Sequence, residues 1–188
     1  MIAEKSPLEG RSIGNKATVA IRELAGVHAT DLRVAPGMAS YSTVQDVLGM
    51  SLPGKSGLTV RAAARDGAYM HVLCLAPDWW LLVGATEAEE KLLTLRSNED
   101  VHVSVVDVSG QRTIIELEGP QAREVLAHLW EQDLRDRSFP VGSVSQGLIA
   151  KAPVIVHHVA DMQYRVMVRS SFAMHVWNLL EDAAVEWW

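Results

Sequence analysis

The stretch "LAPDWWLLVG", residues 75–84, decides the fold because it reads as a β-strand that carries two adjacent tryptophans. Successive side chains of a strand point to opposite faces of the sheet, so Trp79 and Trp80 cannot both enter one core. We expect Trp80 to lie in the core and Trp79 to face outward. The alternative is that one of the chain's own helices covers the second face and buries Trp79, since α+β folds often cover a sheet in this way.

Strand, turn and helix signals continue on the N-terminal side of this stretch. "LTVRAAA" and "YMHVLCL" flank Asp66-Gly67, a pair of residues that favours a hairpin turn between strands. Gly49 closes a predicted helix over residues 40–49, and a second helix is predicted over 87–96.

The second part of the chain repeats this order of elements. Strands "HVSVVDV" and "RTIIELE" are predicted to form a hairpin around Ser109-Gly110, and Gly119-Pro120 opens a helix. Three more strands and a terminal helix follow. The pattern predicts an α+β fold with two related halves of antiparallel sheet and packed helices. We assign residues 1–16 to an N-terminal arm and 17–188 to a single domain, with halves at about 17–100 and 101–188.

Composition and charge exclude several classes of function. The chain has 188 residues, of which 48% are hydrophobic and 21% are charged, as in globular proteins. Its net charge of -6 gives no general attraction to nucleic acid or anionic lipid, and no apolar run approaches the length of a membrane span. The first residues lack the apolar region of an export signal, so the expected compartment is the cytoplasm. The single cysteine, Cys74, is expected to be a packing residue.

The motifs of the sequence predict no catalytic residue and no metal site. His157 and His158 are adjacent on a strand and therefore face opposite ways. Asp107 is expected to cap a turn rather than to serve a ligand. Arg112 and Arg123 could hold a carboxylate, although both occupy positions where a solvated charge is ordinary.

The sequence resembles the γ subunit family of heterotetrameric sarcosine oxidase over nearly its whole length. The segments that carry the resemblance are "SPL", "LGMSLPG", "LAPDWWLLVG", "VVDVSGQRTIIELEGPQAREVLAHL", "SFPVG" and "VRSSFAMHVWNLLEDAA". The family is related in fold to the folate-binding region of the glycine-cleavage aminomethyltransferase, the T-protein. The segment "DVS…LEGPQAREVL" resembles the strand, the hairpin and the helix start of that region. The resemblance therefore implies a T-protein-like fold.

The resemblance also implies a set of partners and cofactors. The family's enzyme has α, β, γ and δ subunits and oxidatively demethylates sarcosine to glycine, with one-carbon transfer to tetrahydrofolate and production of hydrogen peroxide. FAD and FMN belong in or against the β subunit, NAD and tetrahydrofolate to the α subunit, and zinc to the δ subunit. The γ subunit is implied to be structural and free of cofactors. We expect the β subunit to contact it directly.

The catalytic relative carries an acidic pair that has no counterpart in this chain. The two positions fall near Ala152 and Pro153, neither of which is a carboxylate. Without such an acid the fold could not assist proton transfer as the relative does. The resemblance thus implies a retained fold with lost chemistry, and the substitute acids to consider for a folate site are Asp107 and Glu116.

Four tryptophans are the candidate subunit-interface residues. Trp is enriched among interface anchors. The terminal helix can form a core stripe of Phe172, Val176, Leu179, Leu180 and Ala183. That stripe leaves Trp177, Trp187 and Trp188 without an intramolecular role. The predicted interface residues are Trp79, Trp177, Trp187 and Trp188.

Three other interpretations stay open at this point. One is a free-standing folate-binding or one-carbon-transfer protein with Asp107 as the weak candidate ligand. Another is the γ subunit of a related dehydrogenase for N-methylglutamate or another N-methyl amino acid. The third is a homo-oligomeric scaffold without an enzyme partner.

Overall fold

The computed structural model describes residues 5–63, 69–84, 86–98 and 100–188, without the side chains of 62–63, 86–89 and 96. Within these ranges the chain forms strands and helices in the following order. The strands are β1 (Ser12–Gly14), β2 (Ala20–Glu23), β3 (His28–Arg33), β4 (Thr59–Ala63), β5 (Tyr69–Ala76), β6 (Trp79–Gly84), β7 (Ser104–Asp107), β8 (Arg112–Glu118), β9 (Val144–Ile149), β10 (Ala152–Ala160) and β11 (Gln163–Arg169). The helices are α1 (Ala39–Leu48), α2 (Thr86–Arg96), α3 (Ala122–Ala127) and α4 (Ala173–Ala184).

The chain divides into two compact units, each built on one antiparallel sheet. The six-stranded unit contains the residues up to Gly26 and from Gly110 onward, and its strand order is β1-β2-β8-β11-β10-β9. The five-stranded unit spans Val27–Ser109, with the order β4-β5-β6-β3-β7. Antiparallel sheets with packed helices confirm the predicted α+β class.

The units do not coincide with the sequence halves at 17–100 and 101–188. β2 pairs with β8, so an early strand joins the sheet made by the last third of the chain. Part of the predicted N-terminal arm also belongs to this sheet, because β1 pairs with β2. That residues 17–188 act as a single domain stays a prediction.

The predicted hairpin around Ser109-Gly110 is wrong. β7 pairs with β3, whereas β8 pairs with β2 and β11. The turn between β7 and β8 is the point at which the chain passes from one unit to the other. The sequence signal for a turn was therefore correct, but the pairing on either side of it is long-range.

The hairpin predicted around Asp66-Gly67 has its two strands in place. β4 pairs with β5 in an antiparallel register that joins Thr59 to Leu73 and Ala63 to Tyr69. The turn itself lies outside the described residues. Helix α1 also follows the prediction, since Gly49 adopts a left-handed conformation (φ 66°) and donates its backbone N–H to Asp46 O.

The core of the five-stranded unit lies between its sheet and helices α1 and α2. Every second residue of the central strands enters it, as the alternation of a strand requires. The fully or nearly fully buried side chains are Leu32, Val34, Val44, Leu52, Met70, Val72, Cys74, Trp80, Leu82, Leu92 and Val105.

The core of the six-stranded unit lies under helices α3 and α4. Helix α3 buries Ala122, Val125 and Leu126. The stripe of α4 differs from the prediction: Ala173, Val176, Trp177, Leu180 and Ala184 are buried, while Phe172 precedes the helix and is 39% exposed. Spacings of three and four residues place this set on one face of the helix.

Candidate functional site

The two positions at which the resemblance leads us to expect an acidic pair, Ala152 and Pro153, lie on strand β10. Ala152 is 1% exposed and packs in the core under the helices. Pro153 follows it on the strand and is exposed on the opposite face. Neither side chain has a group that donates, accepts or carries a proton, so these two positions cannot perform acid–base chemistry.

Asp107 caps a turn at the end of β7. Its Oδ1 accepts hydrogen bonds from the Ser109 backbone N–H at 2.8 Å and from the Ser109 hydroxyl at 2.6 Å. The bonds from the Ser109 hydroxyl and N–H lower the pKa of this exposed carboxyl. The predicted turn-capping role is confirmed.

Glu116 is bound by two arginines on the neighbouring strands. Arg22 on β2 and Arg165 on β11 are its partners in the sheet register. The Nε atoms of Arg22 and Arg165 donate to Oε1 and Oε2 of Glu116, both at 2.9 Å, and Arg22 Nη2 adds a third hydrogen bond. Glu116 is 0% exposed. Burial raises its pKa, but the hydrogen bonds and charges of the two arginines outweigh burial, and the net pKa is lowered. We call these three residues the arginine–glutamate triad.

The adjacent histidines of β10 are buried core residues. His158 donates from Nδ1 to the Phe139 carbonyl at 2.8 Å and stacks on the Tyr164 ring at 4.3 Å between centroids. His157 is 1% exposed and faces the other way. Among the described residues, no three His, Cys, Asp or Glu side chains are grouped closely enough to hold a metal ion. Cys74 is buried, and burial raises the pKa of its thiol.

The two tryptophans of β6 lie on opposite faces of the sheet. Trp80 is 1% exposed, donates its indole N–H to the Pro53 carbonyl at 3.0 Å and contacts the Tyr41 ring of α1. Trp79 is half-buried on the other face. The predicted separation of the pair is confirmed.

Trp79 is held by two charged residues of β3 that the sequence analysis did not single out. The Arg33 guanidinium lies over the indole at 4.5 Å from the ring centroid. The indole N–H donates to Asp31 Oδ2 at 2.7 Å. Asp31 and Arg33 are two apart on one strand and therefore share a face. We call Trp79, Asp31 and Arg33 the Trp79 cluster.

The structure corrects the view that Trp177 has no intramolecular role. Its indole is 1% exposed in the core of the six-stranded unit and donates to Glu181 Oε2 at 3.0 Å. Trp177 is buried because the buried face of α4 begins at Ala173 rather than at Phe172. A buried Trp177 cannot anchor a partner.

The last two tryptophans also have contacts within their unit. Trp187 packs against the core and meets the His128 ring edge-on, with 5.8 Å between centroids. Trp188 is 48% exposed. Its Nε1 lies so close to Gly14 that a Cβ there would approach it to 2.9 Å. Trp188 thus presents half of its surface to solvent beside β1.

No helix in the described part of the chain has the length and apolar character needed to cross a membrane.

Comparisons with known proteins agree on one family. The family model described as "Sarcosine oxidase, gamma subunit family" matches residues 32–186. Sarcosine oxidase subunit gamma of Corynebacterium sp. (strain U-96) is 31% identical over 180 residues, which cover 95% of this chain and 85% of that protein. The same subunit of Arthrobacter sp is 32% identical over 171 residues, covering 89% of this chain and 81% of that protein.

Two solved structures are similar to this fold. A chain of heterotetrameric sarcosine oxidase from Corynebacterium sp. U-96, in complex with pyrrole 2-carboxylate, has a TM-score of 0.85 and 26% identity, with 98% of this chain and 96% of that chain covered. Aminomethyltransferase T of the glycine cleavage system from Bartonella henselae has a TM-score of 0.65 and 12% identity, with 94% of this chain and 56% of that chain covered. The second match shows that the fold is T-protein-like.

Proposed function

The chain belongs to the sarcosine oxidase gamma subunit family, and from that premise we propose that it is the γ subunit of a heterotetrameric sarcosine oxidase in the cytoplasm. Such a complex demethylates sarcosine to glycine, passes the one-carbon unit to tetrahydrofolate and produces hydrogen peroxide. One observation carries the proposal: the match over 98% of this chain and 96% of a chain of heterotetrameric sarcosine oxidase, with a TM-score of 0.85.

We propose further that this chain has a structural rather than a catalytic role in the complex. Near the positions where the resemblance leads us to expect the acids of the catalytic relative, this chain has Ala152 and Pro153. Asp107 is engaged by Ser109, and Glu116 by two arginines. These intramolecular bonds leave both candidate acids occupied. On this proposal FAD, FMN, NAD, zinc and tetrahydrofolate are bound by the α, β and δ subunits.

The Trp79 cluster is the surface that we propose for contact with a partner, the flavin-bearing β subunit. Its indole is held by the Arg33 guanidinium over the ring and by the Asp31 carboxylate at the ring N–H. An aromatic ring that is already held in place loses little conformational entropy on binding. Trp and Arg are among the residues most enriched in binding hot spots. The half-exposed Trp188 is a second proposed contact, beside Trp187.

The alternative of a free-standing folate-binding protein is not supported. It requires a free acid, and both candidates have intramolecular partners. The family match also describes a subunit of an oxidase rather than a transferase. A complex that acts on N-methylglutamate instead of sarcosine is an outcome that the substrate assay below distinguishes.

The test is to co-express the tagged chain with the other three subunits and to purify the product by the tag. We expect a four-chain yellow complex that consumes oxygen with sarcosine. A four-chain complex that is active only with N-methylglutamate would keep the subunit role and change the substrate. A colourless chain that purifies alone and binds tetrahydrofolate would contradict the proposal.

The contact role of the Trp79 cluster is tested by Trp79→Ala within the same complex. We expect reduced recovery of partners, while the isolated chain loses only about 1–2 kcal/mol of stability from a cation–π contact and one hydrogen bond. Trp79→Phe, which keeps a ring under Arg33, should recover part of the assembly. Met162→Ala removes an exposed side chain from the other unit and serves as the control. Full assembly of the Trp79→Ala chain would show that the Trp79 cluster is not part of the subunit interface.

A further inference from the structure

The N-terminal arm folds back into the core of the six-stranded unit. Leu8 is 0% exposed and belongs to the core under α3 and α4. The backbone turns tightly around it, since the Glu9 N–H donates to the Ser6 carbonyl and the Arg11 N–H to the Leu8 carbonyl, both at 3.1 Å. Glu9 and Gly10 adopt left-handed conformations (φ 53° and 74°). A residue with a side chain, such as Glu9, keeps this conformation only where surrounding contacts enforce it.

A buried carboxylate on β2 supplies contacts of this kind. The Ser6 hydroxyl donates to Glu23 Oε1, and the Gly10 N–H donates to Glu23 Oε2 at 2.6 Å. The Glu23 N–H in turn donates to the Arg11 carbonyl at 2.9 Å. Glu23 is 8% exposed, and no cation of the described residues forms an ion pair with it. A buried carboxylate needs hydrogen-bond donors, and the donors that Glu23 has lie on the arm. We call Ser6, Leu8, Gly10 and Glu23 the arm latch.

The arm leads directly into β1, which lies against the indole of Trp188. A Cβ on Gly14 of β1 would lie 2.1 Å from the Val19 carbonyl oxygen and 2.9 Å from Trp188 Nε1. The backbone of β1 is therefore the floor beneath this half-exposed ring. β1 has three residues and lies at the edge of its sheet. Such a strand has few hydrogen bonds of its own, so its position depends on the contacts of the segments beside it.

We propose that the arm latch positions Trp188. With the latch closed, β1 supports the indole in one orientation. With the latch open, β1 and the indole lose that support together. An aromatic ring held in one orientation loses less conformational entropy when a partner binds it, so the closed latch favours the contact proposed above for Trp188. That consequence rests on the proposed function, whereas the coupling between the arm and Trp188 belongs to this chain alone.

The first test is hydrogen exchange of the full chain without partners. Leu8→Ala and Glu23→Ala each remove one part of the latch, and the Arg11 N–H should exchange at least about tenfold faster in both variants. Glu9→Gln is the matched control, because it removes a carboxylate of the arm whose ion pair with Lys5 is exposed, at 72% and 77% for the two side chains. Exchange in this control should change by less than about twofold. Unchanged exchange in both latch variants would overturn the latch.

The second test follows the indole N–H resonance of Trp188 in a chain with isotope-labelled tryptophan. Trp188→Phe assigns this resonance by its loss. In Leu8→Ala and Glu23→Ala it should move towards the position found for unfolded chains, whereas the resonance of the buried Trp177 should stay and show that the core is intact. Faster exchange at Arg11 together with an unmoved Trp188 resonance would overturn the coupling.

A milder variant keeps the test decisive if the latch variants do not fold. Ser6→Ala removes a single hydrogen bond to Glu23. Exchange of the Arg11 N–H should then be about two- to tenfold faster, and the Trp188 resonance should shift in the same direction by less. An unmoved resonance alongside that faster exchange would again overturn the coupling.

The consequence for assembly is tested by a double-mutant cycle in the four-subunit complex. Trp188→Ala should weaken the affinity of the tagged chain for its partners about tenfold, as loss of an interface hot spot does. Adding Leu8→Ala to that variant should change the affinity by less than about twofold, because the residue that the latch positions is already absent. Additive losses would show that the latch does not act through Trp188. Failure of the original chain to assemble would contradict the proposed function, while exchange at Arg11 and the Trp188 resonance would still decide the coupling.

Discussion

Replacing Glu116 by glutamine is expected to be among the most destabilising single-atom changes in this chain. The carboxylate is 0% exposed and accepts three hydrogen bonds from Arg22 and Arg165. Glutamine keeps one accepting oxygen but turns an NH₂ group towards the N–H donors of one arginine. The substitution therefore leaves two cations that share one acceptor.

The magnitude follows from the burial of the carboxylate and of its partners. Removing one member of a buried ion pair costs about 3–5 kcal/mol. The Arg22 side chain is 44% exposed and Arg165 19%, so water can solvate part of the charge that is left behind. We therefore expect a loss near the lower limit, about 3 kcal/mol.

Glu118→Gln is the matched control on the same strand. It removes the same charge, but its side chain is 27% exposed, and its partners are Lys16, which is 62% exposed, and more distantly Arg22, which is 44% exposed. Such a pair contributes about 1 kcal/mol or less. Urea unfolding of the two variants, compared at equal m-values, measures the difference. Equal losses for Glu116→Gln and Glu118→Gln would refute the reasoning.

A triple variant separates the ion pairing from the packing. Arg22→Met, Glu116→Leu and Arg165→Met together remove all three charged groups and keep similar volumes. Replacement of a buried ionic cluster by apolar residues is often neutral or stabilising. We therefore expect the triple variant to be more stable than Glu116→Gln. A triple variant less stable than the single one would show that the three side chains stabilise the sheet by packing rather than by charge.

The same triad predicts how stability depends on pH. The pKa of Glu116 is lower in the folded chain than its ordinary value. The free energy that its ionised carboxylate contributes to folding is therefore complete above the unfolded-state pKa of about 4.3, and it is lost as the pH falls through the folded-state pKa. The stability difference between the original chain and Glu116→Gln should be constant from about pH 7 to 5 and should shrink below about pH 4.

Substitutions at three further positions test the packing of the two cores. Trp80→Ala should cost about 3–5 kcal/mol, because an almost fully buried indole is removed. Trp177→Phe should cost about 1–2 kcal/mol of stability, because the hydrogen bond to Glu181 is lost. Trp177→Ala should cost about 3–5 kcal/mol, because the whole buried ring is lost. Equal losses of stability in the two variants would place Trp177 outside the core. Gly147→Ala would put a Cβ 2.6 Å from Trp130 Cη2, so the indole must move, at a cost of about 1–3 kcal/mol. Denaturant unfolding measures the loss of stability in all four variants. An unchanged near-ultraviolet spectrum for Gly147→Ala would contradict the predicted shift of Trp130.

The amino-acid sequence by itself determined the local features of this protein and its family. Alternation along a strand separated Trp79 from Trp80, and Gly49 marked the end of α1. The order of motifs indicated the γ subunit family, and the family comparisons confirm it. These features depend on neighbouring residues or on motif order, so no knowledge of long-range contacts was needed.

Only the tertiary structure decided which distant residues meet. Glu116 bonds to residues 94 and 49 positions away, and Arg112 faces Arg169 across a strand register that no local signal predicts. Strands β7 and β8 flank a turn yet pair with different sheets, and a phase shift of α4 by one residue buries Trp177. Strand register and helix phase minimise the free energy of a whole core at once, because a slip of one residue would expose one entire face and bury another.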